Sequence, residues 1–252
     1  MPITASKFFS TDRELLTARQ EDRFFTDLKT SNQTFKRTAS HRFEELDASC
    51  AGLFAASGMP LREVLDIGIS SGRTTLELAQ RLRAAGQAPK IVGTDLSLEA
   101  YLVPLCSGVR VLVDEAGHPL QYDLLGQAVR AWTRRADYVT GMAAFRRLLH
   151  RISSGRIAQS LGVGKPAPRR IQLLSPRLAD EPDIQVEKND IFSLTDRFVG
   201  RFDFIRAANI LNLGYFDEKA LRSALENVAK YLSGPDAWLL VARTCGTATA
   251  AK

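Results

Sequence analysis

An apolar run that ends at an acid and two spaced glycines, then resumes at helical spacing, constrains this chain more than any other stretch. It runs Arg62-Glu63-Val64-Leu65-Asp66-Ile67-Gly68-Ile69-Ser70-Ser71-Gly72-Arg73-Thr74-Thr75-Leu76-Glu77-Leu78. Val64, Leu65 and Ile67 suit a strand buried on both faces. Gly68 and Gly72 allow a tight turn and close backbone approach, and Leu76, Leu78, Ala79 and Leu82 fall on one face of a following helix. A helix that starts there aims its unpaired N–H groups at whatever binds above the turn.

The remaining composition leaves room for that unit and an addition to it. A chain of 252 residues, 45% hydrophobic and 25% charged, is long enough for one large domain or one domain with an insertion. It holds no stretch of eighteen apolar residues, and Met1-Pro2-Ile3-Thr4-Ala5-Ser6-Lys7 lacks the apolar centre of a signal peptide. Cys50, Cys106 and Cys245 are too far apart for a zinc or redox spacing. The expectation is a cytoplasmic protein that binds no metal.

About sixty residues precede the turn, and they are expected to form a helical cover over residues 1–58. Thr11-Asp12-Arg13-Glu14 has the form of a capping box ahead of Leu15, Leu16, Phe24, Phe25 and Leu28. A second helix is expected from about Ser40 to Ser57, with Phe43, Leu46, Cys50, Leu53 and Phe54 inward, stopped by Gly58 and Pro60. This cover either packs on the core or acts as a lid.

After the first helix comes Lys90-Ile91-Val92-Gly93-Thr94-Asp95-Leu96-Ser97, a second buried strand that ends in an acid. Strand, glycine turn, helix, strand and acid make a βαβ unit, in which a carboxylate about twenty residues past the turn accepts from two neighbouring ribose hydroxyls. The bland alternative is that Asp95 caps a helix that follows it. Val64 to Gly72 resembles motif I of the class I S-adenosylmethionine-dependent methyltransferases, and Ile91 to Ser97 resembles their motif II. The pattern is D-x-G-x-x-x-G, with Ser70 where a middle glycine is usual; a dinucleotide dehydrogenase more often shows G-x-G-x-x-G.

The resemblance implies an α/β fold of the Rossmann-like methyltransferase type, with a mostly parallel sheet, helices on both faces, and S-adenosylmethionine as cofactor. It covers roughly residues 60–98 and 184–243. It implies that Asp66 orders the turn and reaches the methionine amino group, that Gly68, Ser70 and Gly72 admit the cofactor, and that Asp95 with Leu96 holds the ribose. Ile184 to Phe192 resembles the segment beside the adenine, with Asp190 accepting from its amine and Ile191 offering an apolar edge, although a plain turn aspartate fits Asp190 as well. Phe202 to Asn212 resembles motif IV, which makes Asn209 and Asn212 the groups that orient an acceptor and Asn209 a cofactor neighbour. A helix capped by Asp217, with Leu221, Leu225, Val228 and Leu232 inward, leads to a fifth strand, Ala237 to Arg243.

Residues 99–182 have no counterpart in the resemblance and are expected to be an insertion in a domain spanning 59–252. Val109 to Val113 and Leu120 to Leu124 flank a Gly-containing turn and predict a β-hairpin. One or two basic amphipathic helices follow, carrying Val129, Trp132, Val139, Met142, Phe145 and Leu149, then a loop with Gly162, Gly164, Pro166 and Pro168, and a strand from Arg170. Between Arg130 and Arg170 ten basic residues face one acid, Asp137, whereas the whole chain carries +6, so the rest is net acidic. That segment is a solvated helical face, a contact with an anionic membrane, or, less favoured, a nucleic-acid contact.

The sequence stops soon after the fifth strand, where the resemblance implies a sixth and a seventh. The inserted hairpin is one candidate to complete the sheet, and pairing of an exposed edge with a second copy is another. The activity implied is methyl transfer to a small-molecule or lipid-headgroup acceptor; the alternative is a binding or scaffold protein that keeps the fold without turnover.

Overall fold

The computed structural model describes residues 2–32, 34–36, 40–162, 168–213 and 216–243. In chain order the elements are α1 (Ala5–Phe8), α2 (Ala18–Thr26), α3 (Glu44–Ser57), β1 (Glu63–Ile67), α4 (Arg73–Ala84), β2 (Lys90–Asp95), β3 (Glu99–Cys106), β4 (Val109–Asp114) and β5 (Pro119–Leu124). They continue with β6 (Gln127–Arg130), α5 (Arg135–Val139), α6 (Met142–Leu161), β7 (Arg169–Gln172), β8 (Ile184–Lys188), β9 (Phe204–Ala208), α7 (Glu218–Lys230) and β10 (Trp238–Ala242). The chain divides into two compact units: Met1–Ser40 with Ser97–Arg177, and His41–Leu96 with Leu178–Lys252. The expected boundaries, a cover over 1–58 and an insertion over 99–182, therefore shift. Residues 1–40 pack with the insertion, and only α3 of the cover packs with the parallel sheet.

The second unit is a five-stranded sheet in the order β10-β9-β1-β2-β8, parallel at every pairing. Val64, Leu65, Ile91, Val92, Phe204 and Ile205 are all buried, as a parallel sheet covered on both faces requires. One cluster joins α3 and α4 to the sheet through Phe54, Leu61, Leu78 and Leu82, and another joins α7 through Ala224, Val228 and Tyr231. Helix α4 buries Leu76, Leu78, Ala79 and Leu82 as its spacing predicts. Two helical faces are rotated from expectation. Helix α3 buries Asp47, Cys50, Ala51 and Phe54 and leaves Leu53 exposed; α7 buries Ala224, Asn227 and Val228 and leaves Leu225 exposed. In each case a polar residue with a buried hydrogen bond takes an inward position: Asp47 pairs with Arg206, and the Asn227 amide donates to the Ile191 carbonyl.

The first unit is an antiparallel sheet in the order β6-β5-β4-β3-β7. The expected hairpin is β4 and β5, but it belongs to this separate sheet and does not complete the parallel one. Strands β3 and β6 were not expected. Pro104 inside β3, and the shortness of β6 with Gln127 and Arg130 at its two ends, weaken the alternation that marks a strand, and Val129, expected on a helix, lies in β6. Phe8, Phe24 and Phe25 form an aromatic cluster, with Phe8 and Phe24 stacked at 4.2 Å, packed with Ala100, Leu102, Leu112, Leu120 and Ile171. The capping box lies six residues later than expected. Thr17 Oγ1 accepts from Gln20 N and Gln20 Oε1 accepts from Thr17 N at the start of α2. Thr11 instead donates to the Lys7 carbonyl. Thr17-x-x-Gln20 fits the same pattern and precedes the longer helix, which buries Phe24 and Phe25.

Asp137 is held by the Arg134 N–H at 2.6 Å and by Arg130 at 2.8 Å, with Arg146 also at 2.7 Å, and these contacts lower its pKa to about 2. A carboxylate lowered in this way adds stability above the ordinary aspartate range near pH ~4, and the gain is lost as pH falls toward ~2. The difference in thermal midpoint between the parent and Asp137→Asn is accordingly expected to be full at neutral pH and to shrink across that acid window. A difference that stays constant down to pH ~2 would contradict it.

Gly164, Lys165 and Pro166 of the basic segment's loop, and the run from Thr244 that includes Cys245, lie outside the described residues. Among those described, no helix is long and apolar enough to cross a membrane, and no cluster of His, Cys, Asp and Glu has the make-up of a metal site.

Candidate functional site

In the parallel unit the chain runs outward from β1 through β2 to β8 and then returns to lay β9 on the opposite side of β1. The connections therefore diverge between β1 and β9, and ligands of open α/β sheets bind outside the carboxyl ends of the strands at such a switch point. The turns at that end are those after β1, β2 and β9, and they carry most of the residues named from the sequence.

The turn after β1 is tied to its neighbour by backbone. Gly68 N and Ile69 N both donate to the Thr94 carbonyl, at 2.7 and 3.0 Å, and Gly72 N donates to the Ile69 carbonyl at 2.8 Å. Gly68 and Gly72 have φ of 74° and 78°, the left-handed region that glycine enters without cost. Ser70, where a glycine is usual, sits at φ 58°, and its N–H donates to Asp95 Oδ2 at 2.7 Å. Asn209, the first residue after β9, is also left-handed at φ 61°, and its N–H donates to the Ala242 carbonyl at 2.7 Å. Two of the four non-glycine left-handed residues among those described thus stand at the ends of the two strands that flank the switch point. Such strain persists only where its surroundings enforce it, and it concentrates at functional sites.

The two glycines also accommodate side chains of their own unit. A Cβ on Gly68 would lie 2.2 Å from Ile210 Cδ1, and one on Gly72 would lie 2.3 Å from Leu178 Cδ1. Asp95 is half-buried at the end of β2 and Leu96 is exposed beside it. The element after Asp95 is β3 and not the helix of the bland alternative, so there is no helix there to cap; Asp95 bonds Ser70 N, which couples the ribose candidate to the glycine turn. Asp190 is exposed and its Oδ1 accepts from Phe192 N at 3.0 Å, the bond of a turn aspartate, while Ile191 is buried in the core cluster beside Leu65 and Val92. Asn212 lies three residues beyond Asn209, and its carbonyl accepts from Phe216 N.

Asp66 has partners that sequence reasoning missed. Its register partner on β9 is Arg206, which donates from Nε to Oδ1 at 2.9 Å and from Nη2 to Oδ2 at 2.6 Å. Thr75 Oγ1 donates to Oδ2 at 2.7 Å. From its remaining nitrogen Arg206 grips both oxygens of Asp47 on α3, at 2.8 and 2.9 Å. All three charged groups are buried, Arg206 to 1% exposure. Burial opposes the guanidinium charge, but Asp66 and Asp47 outweigh it and hold its pKa well above the usual value. Burial likewise raises the Asp47 carboxyl, with Arg206 only partly offsetting it. The visible signal was a single arginine inside the apolar run Phe204-Ile205-Arg206-Ala207-Ala208, and an aspartate on the inward face of α3.

The strand order and the turn geometry are those of an open, doubly wound parallel sheet. The sheet resembles that of a Rossmann-type methyltransferase. Solved structures of several S-adenosylmethionine-dependent methyltransferases match the chain. The N-methyltransferase NodS from Bradyrhizobium japonicum, in complex with S-adenosyl-L-homocysteine, is 16% identical with a TM-score of 0.37, over 79% of this chain and 61% of that one. The CMeT domain of the citrinin polyketide synthase is 17% identical with a TM-score of 0.35, over 73% and 29%. The N-terminal domain of EvdMO1, determined in the presence of S-adenosyl-L-homocysteine and D-fucose, is 13% identical with a TM-score of 0.29, over 80% and 57%. The chain thus spans less than two thirds of the length of each of these three. No family model and no curated protein matches the sequence.

Proposed function

We propose that the protein binds S-adenosylmethionine at the switch point of its parallel sheet and transfers the methyl group to a small-molecule or lipid-headgroup acceptor. The observation that carries this is the pairing of Asp95 with the turn after β1: the half-buried carboxylate bonds the Ser70 N–H, so acid and glycine turn form one element at the end of adjacent strands. The group set suits the cofactor. A carboxylate offers acceptors for a ribose diol, the left-handed turn at Gly68, Ser70 and Gly72 presents backbone at short range, and the exposed Leu96 supplies apolar surface. S-adenosylmethionine itself supplies a methyl group already activated on a sulfonium.

The chain's part is to bind and align. Asp95 holds the ribose, Asp190 flanks the base, and Asn209 and Asn212 orient the acceptor. Proximity of this kind contributes much of the rate of such a transfer, so a strong general base is not demanded. Asp66, already bonded to Arg206 and Thr75, acts by holding the start of the turn.

Calorimetric titration with S-adenosylmethionine, S-adenosylhomocysteine and NAD tests this. Binding of the first two and not of NAD is expected, and absence of heat with both overturns the assignment. Mass spectrometry after incubation with metabolite and lipid extracts then separates turnover, seen as a product 14 Da heavier, from binding alone. Binding alone would identify a non-catalytic relative of the fold.

A further inference from the structure

Helix α6 buries a mixed face, which includes Arg146, and leaves a second, apolar face exposed. Its inward face buries Ala143, Ser153 and Ile157, with Ile157 packed among Val103, Val111, Val113 and Tyr122 of the antiparallel sheet. About half a turn round, Leu148 and Ile152 are 55% and 67% exposed, and Tyr138 and Val139 of the preceding α5 are 61% and 90% exposed. Phe145, Leu148 and Ile152 follow the i, i+3, i+7 spacing of one helical stripe. Arg147 and Arg151 border that stripe on one side and Arg156 on the other, all exposed.

These arginines lack acidic neighbours. Asp137, the only acid between Arg130 and Arg170, is taken by Arg130 and Arg146. Among the described residues no carboxylate lies within ion-pair distance of Arg135, Arg147, Arg151 or Arg156; the Arg147 guanidinium lies 5.8 Å from the Tyr138 ring. Trp132 is not part of this face. Its indole N–H donates to the Asp27 carbonyl and its ring meets Phe35 edge-on, with Arg130 and Arg134 over it.

We propose that α5 and α6 dock the protein on an anionic phospholipid surface, with Val139, Leu148 and Ile152 entering the acyl boundary and Arg135, Arg147, Arg151 and Arg156 meeting the headgroup phosphates. Interfacial helices combine an apolar face with a polar face rich in Lys and Arg, and no acid lies in this segment other than Asp137. A second copy of the chain fits poorly, because its own arginines would face these. A nucleic-acid backbone would reward the arginines but leave the aliphatic stripe without a partner. The inference is independent of the methyl-transfer proposal, since it rests on the other unit.

The test is co-sedimentation of the full chain with vesicles of phosphatidylcholine alone or with phosphatidylglycerol added. Binding only to the anionic vesicles, weakened by salt, is expected. Each arginine at such a surface strengthens binding by about fivefold, so Arg147→Glu with Arg151→Glu should lower affinity by at least about twentyfold. Leu148→Gln with Ile152→Gln should lower it by about tenfold or more. All four positions are exposed, so an unchanged thermal midpoint shows that the fold is kept. No association at low salt overturns the proposal. So does binding that the charge variants abolish and the glutamine variants leave intact, and so does tighter binding to a single-stranded DNA oligomer than to the anionic vesicles.

Discussion

Replacing Arg206 with methionine is expected to destabilise the parallel unit by about 3–5 kcal/mol, the cost of removing one partner from a buried ion cluster. The reason is the charge left behind. Arg206 bonds Asp66 and Asp47 together, with four contacts of 2.6 to 2.9 Å, and without it two buried carboxylates remain with no countercharge. Asp47→Asn should behave differently. It removes the carboxylate whose pKa burial already raises, keeps an acceptor for Arg206, and leaves a neutral Arg206–Asp66 pair, so a change within about 1 kcal/mol is expected. The pH dependence follows from the same sign. A carboxyl raised in the fold favours the native state most below its ordinary value near 4, and that advantage fades as pH rises through the raised value. Asp47→Asn should therefore flatten the stability profile above pH ~4, and Arg206→Met should cost less at acid pH than at pH ~7 as the stranded Asp47 carboxylate protonates. Urea unfolding followed by circular dichroism reads both. A loss below about 1 kcal/mol for Arg206→Met at neutral pH would show that the guanidinium does not compensate the two acids.

That cluster marks where the sequence was legible and where it was not. The elements with an unbroken local signal formed as expected: β1, α4 and β2 around the glycine turn, the hairpin of β4 and β5, and β9, α7 and β10. Their periodicity is set by neighbours a few residues apart, which a sequence displays directly. Pairings across the chain are not displayed. Asp66 and Arg206 are 140 residues apart, and only the parallel register of β1 with β9 makes them partners. The faces of α3 and α7 differ from their local spacing for the same reason, because Asp47 and Asn227 point inward to distant partners and displace leucines that this spacing turns inward. The split of the N-terminal region between two units was likewise invisible, since Phe8, Phe24 and Phe25 are apolar residues that suit either core equally well. At the site, Asp95 lay where the strand end required; its bond to Ser70 explains how a serine can hold a left-handed position that usually falls to glycine.

Asp95→Ala is expected to weaken S-adenosylhomocysteine binding by about a hundredfold or more, because hydrogen bonds to a charged group contribute roughly 1.5–3 kcal/mol each and a ribose offers two donors. Asp95 has two jobs in this assignment, and the loss must be divided between them. Its Oδ2 accepts from Ser70 N and so steadies the turn, and the same carboxylate is proposed to hold the ribose. A ligand lacking the 2′-hydroxyl separates these roles. If Asp95 touches the ribose, the parent binds the 2′-deoxy compound clearly more weakly than S-adenosylhomocysteine, and Asp95→Ala erases that preference. If Asp95 acts only through the turn, the variant weakens both ligands by the same factor and the preference survives. Asp95→Asn sharpens the comparison, since its amide oxygen still accepts from Ser70 while the charge and one acceptor are lost. It should keep the stability of the parent and lose an intermediate share of affinity. Equal affinity of the parent and Asp95→Ala for S-adenosylhomocysteine would remove Asp95 from the ribose site, and with it the residue on which the cofactor assignment mainly rests.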